Sequence, residues 1–204
     1  DTAGGGGGKI GLKASLDESG SKLVIGERYY DTDTGNYSED KGRILVYNIA
    51  ADGAVSAYGD PIVGTNAGDY TGSSVMISSD GVCLVYGSSG SDSTGANSGS
   101  ASVYCWDTEA WVFRQKLDGE SAADQYGSSV AISEFGTYVA IGGPKHDAGH
   151  VRVFAFSGST YGQLGNDIDG EIGESDTTYY IGGDNSGYSL GLSELDTTLS
   201  LIHI

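Results

Sequence analysis

The segment DTDTGNYSED, residues 31–40, concentrates the side chains of this chain that are best suited to hold a cation. Asp31 and Asp33 begin like a calcium-binding loop, and Asn36 adds an amide oxygen. Glycines, however, occupy the third ligand position and the position of the usual bidentate Glu. We therefore expect a solvated loop with no metal and no cofactor, and a weak cation site at Asp31, Asp33 and Asn36 is the alternative. Asn36 also opens the only N-glycosylation sequon.

Two short motifs are similar to catalytic signatures but lack the required context. AGGGGGK, residues 3–9, is close to a phosphate-binding loop, yet Ile10 replaces the required Ser or Thr. GYSLG, residues 187–191, fits a nucleophile elbow, and the His of a triad should follow it. His203 belongs to residues 199–204, which we exclude below as read-through, and the remaining His146 and His150 precede the motif. No carboxylate pair has an evident pKa-raising environment. We therefore predict no catalytic residues and a chain that is not an enzyme.

The charge of the chain limits its partners. It contains 28 Asp and Glu against 10 Lys and Arg, which gives a net charge of −18 over 204 residues. This charge repels phosphate backbones and anionic lipid surfaces, so we expect no nucleic-acid partner. No apolar run reaches the ~20 residues of a membrane helix, which argues against membrane insertion of this segment.

An internal repeat explains most of the sequence pattern. GSSVAISEFGTYVAIG, residues 127–142, nearly copies GSSVMISSDGVCLVYG, residues 72–87, and further copies begin at Gly11 and Gly187. The spacings of 61, 55 and 60 residues are typical of large propeller blades.

Within each copy, apolar residues alternate with a period of two, which predicts a β-hairpin of strands A and B. A third strand, C, and a less regular fourth strand, D, follow. The fold class is therefore all-β, a partial β-propeller of four-stranded antiparallel blades. The residues that we predict to point inward are Val75, Ile77, Val130, Ile132, Val139, Ile141, Val151 and Val153.

The repeat also divides the chain. Residues 1–10 form a Gly-rich tail or the remnant of a preceding blade, and the blades are predicted at 11–71, 72–126, 127–186 and, in part, 187–198. We expect the chain to be a fragment whose partners include the remaining blades of the same propeller. One codon choice for residues 199–204 spells a sequencing adapter, which predicts non-native read-through from an environmental assembly.

The chain resembles FG-GAP repeats, the blades of integrin α-chain-like propellers. Tyr126-Gly127 stands where that family has Phe-Gly, and Gly142-Gly143-Pro144 stands where it has Gly-Ala-Pro. The resemblance implies an extracellular or cell-surface module for adhesion, with a leader outside this segment. The calcium sites of the family are not carried over, because the A–B turns here are short and poor in carboxylates.

A second recurrent pattern, D-x-x-G-x-S, precedes each later strand A. We interpret its Asp as a turn cap and its Gly as a residue required by the backbone angle, with ligand binding as the alternative. The positions concerned are Asp69 and Gly72, Asp124 and Gly127, and Asp184 and Gly187. Pairing of Gly87 with Ala101 would place Cys83 opposite Cys105, so that either a cross-strand disulfide or two independent core cysteines can result.

Loop lengths predict the face that binds a ligand. The B–C loops vary in length while the A–B turns do not, and binding residues concentrate in variable loops on rigid scaffolds. We expect a protein or glycan ligand at the end where B–C loops and D–A connections emerge. A polysaccharide hydrolase or lyase and a structural spacer are the alternatives. The candidate ligand-binding residues are Asp31, Asp33, Asn36, Tyr70, Asp92, Gln125, Tyr126 and His146.

Overall fold

A computed structural model describes residues 13–32, 39–145, 148–170, 186–195 and 198–203, with the backbone alone for 193–195 and 198–203. The described residues form strands and turns, which confirms the all-β class. Among them, no helix is long and apolar enough to cross a membrane.

Each of three repeats forms an antiparallel sheet in the order A-B-C-D. The first blade comprises β1 (Lys13–Leu16), β2 (Lys22–Glu27), β3 (Arg43–Ile49), β4 (Val55–Ala57) and β5 (Ile62–Val63). The second comprises β6 (Thr71–Ile77), β7 (Cys83–Ser88), β8 (Ser100–Asp107) and β9 (Ala110–Asp118). The third comprises β10 (Ser129–Ile132), β11 (Tyr138–Gly143), β12 (His150–Phe156), β13 (Tyr161–Gln163) and β14 (Ile168–Asp169). A hairpin of β15 (Leu190–Leu195) and β16 (Thr198–His203) follows, and β16 includes residues 199–203.

Strand D is continuous only in the second blade. In the first blade β4 and β5 both pair with β3, and in the third β13 and β14 both pair with β12. The two breaks are equivalent, because residues 59–61 stand opposite Leu45 and residues 165–167 stand opposite Arg152, three residues against one in each ladder. The predicted strand-A starts at Gly72, Gly127 and Gly187 lie within three residues of those observed, and Gly11 lies outside the described residues.

The glycines that open the later repeats, Gly72, Gly127 and Gly187, are called the repeat glycines, and they bring neighbouring blades into backbone contact. A Cβ on the strand-B glycine of each blade would collide with the carbonyl oxygen of the next repeat glycine. The distances would be 2.3 Å for Gly26 and Gly72, 1.8 Å for Gly87 and Gly127, and 2.2 Å for Gly142 and Gly187. The Ser of the D-x-x-G-x-S pattern supports the same contact, because Ser74 Oγ donates to the Gly127 carbonyl at 2.7 Å.

The core lies between these stacked blades. All eight residues predicted to point inward are at most 9% exposed. Val85, Val103 and Val130 belong to a cluster that joins the second and third blades, and Val24, Ile44 and Leu84 belong to one that joins the first and second. Apolar residues on both faces of the strands therefore serve two interfaces at once.

Candidate functional site

A pocket of about 260 Å³ opens at the end where the B–C loops and D–A connections emerge. We call it the axial pocket, because it is built from equivalent positions of successive repeats next to the inner strands A. Its lining residues are Lys13, Arg28, Tyr70, Ser73, Ser89, Gly90, Asn97, Gln125, Ser128, Pro144 and Tyr188.

Three structural positions supply most of this lining. Ser73, Ser128 and Tyr188 each directly follow a repeat glycine. Arg28, Ser89 and Pro144 each lie two residues after the glycine of strand B. Tyr70 and Gln125 lie two residues before a repeat glycine, and both have positive φ angles, of 54° and 52°. A non-glycine residue in this region of the backbone is uncommon. The backbone N–H groups of Tyr70 and Gln125 donate to the carbonyls of Asp40 and Asn97, which fixes the D–A connection at both positions.

Arg28 is the central charged group of the axial pocket. Its guanidinium carbon lies 4.7 Å from the ring centroids of both Tyr29 and Tyr70, which contact each other edge to face. Its Nε is buried and has no hydrogen-bond partner among the described residues. A buried donor without a partner costs about 1–3 kcal/mol, and a bound acceptor would recover this free energy.

The axial pocket is cationic although the chain is strongly acidic. Lys13 and Arg28 contribute two of the ten basic residues, and its described lining contains no Asp or Glu. The salt bridges found in the described part of the chain involve other cations, namely Lys41, Arg43, Lys116 and Arg152. The two pocket cations therefore remain available to an anionic ligand.

Uncharged polar groups complete the pocket. Ser128 Oγ donates to the carbonyl of Gln125 at 2.6 Å, and the Gln125 N–H donates to the carbonyl of Asn97 at 3.1 Å. The N–H of Asn97 in turn donates to the carboxylate of Asp92 at 2.7 Å. These bonds leave the side-chain amides of Asn97 and Gln125 at the pocket to bind hydroxyl groups.

The structure separates the predicted ligand residues into several groups. Tyr70 and Gln125 line the axial pocket, and Asp92 supports it through Asn97. Asp31 instead accepts the N–H of Asp40 at 2.6 Å. Asp33, Asn36, His146 and Asp184 lie outside the described residues.

Tyr126 requires a correction, because its side chain is fully buried and cannot meet a ligand. It aligns with Thr71 and not with Tyr70, and its ring stacks on His150 at 5.5 Å between the second and third blades. Sequence reasoning missed several pocket residues, above all Lys13 and Arg28. These two share a sequence signal, because each lies two residues after a glycine of the repeat, Gly11 or Gly26.

The turn residues and the cysteines make local contacts. Asp69 and Asp124 each accept the backbone N–H of the residue three positions earlier, at 3.1 Å and 2.7 Å. Gly72 and Gly127 have φ angles of 89° and 83°, which favour glycine. Cys83 and Cys105 pair across β7 and β8 and form a disulfide, which is one of the two states left open by the sequence.

Comparison with solved structures shows the β-propeller fold. The chain is similar to a putative 6-phosphogluconolactonase from Bacteroides uniformis, with a TM-score of 0.53 and 15% identity over 80% of this chain and 42% of that one. A putative 6-phosphogluconolactonase from Bacteroides fragilis gives a TM-score of 0.55 and 10% identity over 93% of this chain and 41% of that one. KlAtg21, solved with the coiled coil of AgAtg16, gives a TM-score of 0.61 and 16% identity over 95% of this chain and 50% of that one. No protein-family model and no curated protein matches the chain.

These findings correct three expectations. The FG-GAP and integrin assignment is wrong, because two of the propeller neighbours are putative 6-phosphogluconolactonases and no FG-GAP model matches. Cell adhesion, which the resemblance implied, loses its support with it. The expectation of a non-enzyme is also wrong, because neighbours that share the fold bear the name of a lactonase. The physical reason is that Gly127 and Gly142 of the two motifs are required by close contact between blades, a need that is not specific to one family.

Proposed function

We propose that the chain is part of a carbohydrate-acting β-propeller enzyme and that its axial pocket binds an anionic sugar derivative, either a sugar acid or a sugar phosphate. The observation that carries this proposal is Arg28, a partly buried guanidinium with an unpaired Nε in a pocket whose described lining has no carboxylate. Guanidinium groups bind carboxylates and phosphates through paired, charge-assisted hydrogen bonds.

The rest of the lining suits the sugar portion of such a ligand. Asn97, Gln125 and Ser73 offer amide and hydroxyl groups, and the rings of Tyr70 and Tyr188 offer apolar faces. A volume of about 260 Å³ is near the lower limit for small-molecule sites, which favours a single sugar unit. The names of the two Bacteroides neighbours indicate which sugar to test first, a phosphorylated gluconate or its lactone.

Within this proposal the described residues bind the substrate and stabilise charge. Arg28 would hold the phosphate or carboxylate, and Lys13 would add a second positive charge at the same pocket. For a lactone substrate, either cation could instead stabilise the oxyanion that forms when water attacks the ester carbonyl. The described lining includes no carboxylate and no imidazole, so we assign it no proton transfer.

The chain spans 41–50% of the length of the three solved structures described above. We propose that further blades complete the ring around the axial pocket. We also propose an extracellular or cell-surface location, supported by the Cys83–Cys105 disulfide, since disulfides persist in oxidising compartments. Quantification of free thiols in protein isolated from its native compartment tests the location, and two free thiols would contradict it.

Titration calorimetry of the chain with 6-phosphogluconate tests the function. We expect saturable binding that Arg28→Gln weakens roughly 10- to 100-fold, since a hydrogen bond to a charged group contributes about 1.5–3 kcal/mol. Arg114→Gln, which removes the same charge from the exposed part of β9, is the matched control and should bind like the wild type. Glucose and inorganic phosphate, titrated separately, distinguish recognition of the sugar from recognition of the anion.

Hydrolysis is measured in parallel by acid release from 6-phosphogluconolactone above its spontaneous rate. Absence of 6-phosphogluconate binding, or equal binding by the wild type and Arg28→Gln, would contradict the assignment of the axial pocket.

A further inference from the structure

A second cavity of about 260 Å³ lies between the first and second blades. It is separate from the axial pocket and has no described lining residue in common with it. We call it the interblade cleft. Thr71, Ser100 and Ser102 supply hydroxyl groups to its wall, and Tyr86, Tyr104 and Phe113 supply aromatic rings.

The same space is filled between the second and third blades. Gly87 pairs with Ala101 and Gly142 pairs with Val151, so Ser100 and Ser102 are equivalent to His150 and Arg152 of the next repeat. Thr71 is likewise equivalent to Tyr126, since each precedes its repeat glycine. The Tyr126 ring stacks on His150 with its centroid 5.5 Å away, and the guanidinium of Arg152 lies 4.2 Å from the Tyr126 centroid.

The interblade cleft therefore results from three large side chains being replaced by three small hydroxyl residues on the same backbone frame. Protein interiors are close-packed, and an unfilled cavity is destabilising. A cavity lined with polar groups instead holds water or a ligand rich in hydroxyls.

Ser100 is the most deeply buried of the three hydroxyl residues. Its side chain is 1% exposed and lines the cleft. Thr71 Oγ1 and Ser88 Oγ bond to each other at 3.0 Å on the same wall. A ligand hydroxyl in the cleft would therefore meet a wall of hydroxyl groups that is shielded from solvent.

The aromatic side of the cleft has the geometry of a stacking surface. The Tyr86 and Tyr104 ring centroids are 5.7 Å apart, and Phe113 packs edge to face on Tyr104 at 5.5 Å. Phe113 nevertheless remains 51% exposed, which is unusual for a phenylalanine held in an aromatic cluster. An apolar sugar face could cover it.

The charged side chains at the cleft have polar partners. Lys116 forms a salt bridge with Asp118 at 3.0 Å, and Asp69 accepts two hydrogen bonds from Asn66. Burial raises the pKa of Tyr86, which keeps its hydroxyl neutral. Unlike the axial pocket, this cleft has no unpaired cation among its described lining residues.

We propose that the interblade cleft binds a neutral hexose unit, whose hydroxyls contact Ser100, Ser102 and Thr71 and whose apolar face stacks on Phe113. The proposal is independent of the anionic ligand of the axial pocket.

Ligand-observed NMR with glucose, galactose and mannose as separate probes tests the proposal. We expect saturable binding of at least one hexose, which Phe113→Ala weakens roughly two- to ten-fold through loss of the stacking contact. Ser100→His, which introduces the residue of the next repeat, should fill the cleft and abolish binding while far-UV circular dichroism stays unchanged. Phe135→Ala removes a phenylalanine that is 60% exposed in an A–B turn, and it should leave binding unchanged.

The two proposed sites can be tested independently of each other. Arg28→Gln should weaken 6-phosphogluconate and leave hexose binding intact, whereas Phe113→Ala should do the reverse. Absence of saturable hexose binding would leave only water in the cleft and overturn the proposal, as would equal effects of Phe113→Ala and Phe135→Ala. If Ser100→His does not fold, the comparison of the two phenylalanine variants still decides the outcome.

Discussion

Replacing Gly87 with alanine tests the backbone contact that stacks the second and third blades. The new Cβ would lie 1.8 Å from the Gly127 carbonyl oxygen and 2.6 Å from Ser74 Oγ, where real Cβ contacts stay above 3.0 Å. Two rigid sheets would have to separate by about 1 Å to accommodate it. The same shift would disturb the 2.7 Å hydrogen bond from Ser74 Oγ to that carbonyl.

The expected cost follows from these two effects. Overpacking of a filled interior costs about 1–3 kcal/mol, and a weakened hydrogen bond adds about 1 kcal/mol. The sum of about 2–4 kcal/mol corresponds to a Tm lower by roughly 5–15 °C in a chain of this size. Thermal melts followed by circular dichroism, together with urea titrations, measure both quantities.

Gly162→Ala is the matched control, because a Cβ at Gly162 in β13 meets no atom within 4 Å. We expect this variant to melt within about 2 °C of the wild type, since surface substitutions usually change stability by less than ~0.5 kcal/mol. Equal melting temperatures for Gly87→Ala and Gly162→Ala would refute the argument that the repeat glycines are required by blade contact.

Three further measurements follow from the structure. Reduction of the Cys83–Cys105 disulfide, whose cysteines are 22 residues apart, should lower the free energy of unfolding by about 3 kcal/mol in urea titrations, and an unchanged midpoint would contradict this. Burial alone would raise the pKa of Asp17, but hydrogen bonds from the Lys22 N–H and from serine hydroxyls outweigh it and lower that pKa. Stability from this group is therefore present above its ordinary pKa and lost as pH falls through the lowered one, so Asp17→Asn should reduce the acid dependence of unfolding. Amide exchange should be slower in the buried β6 than in the largely exposed β1, and equal protection would contradict the stacking order.

The sequence by itself determined the blade. Alternation of apolar residues fixes which side chains point inward, because successive side chains of a strand point to opposite faces. Val130 and Ile132 are buried for this reason. The glycine spacing also gave the register, since Gly87 pairs with Ala101 and Cys83 with Cys105.

Only the tertiary structure decided the sites. Lys13 and Arg28 meet Gln125 at one pocket because successive blades bring equivalent positions to a common axis, and no local pattern encodes that meeting. Tyr70 and Tyr126 both lie close before a repeat glycine, yet one reaches the pocket while the other is buried. Tyr70 lies two residues before its glycine and Tyr126 one, and a shift of one residue in extended chain turns a side chain to the opposite side. The offset can be read from the sequence, but only the packing of the blades shows which of the two sides is the pocket and which is the buried interface.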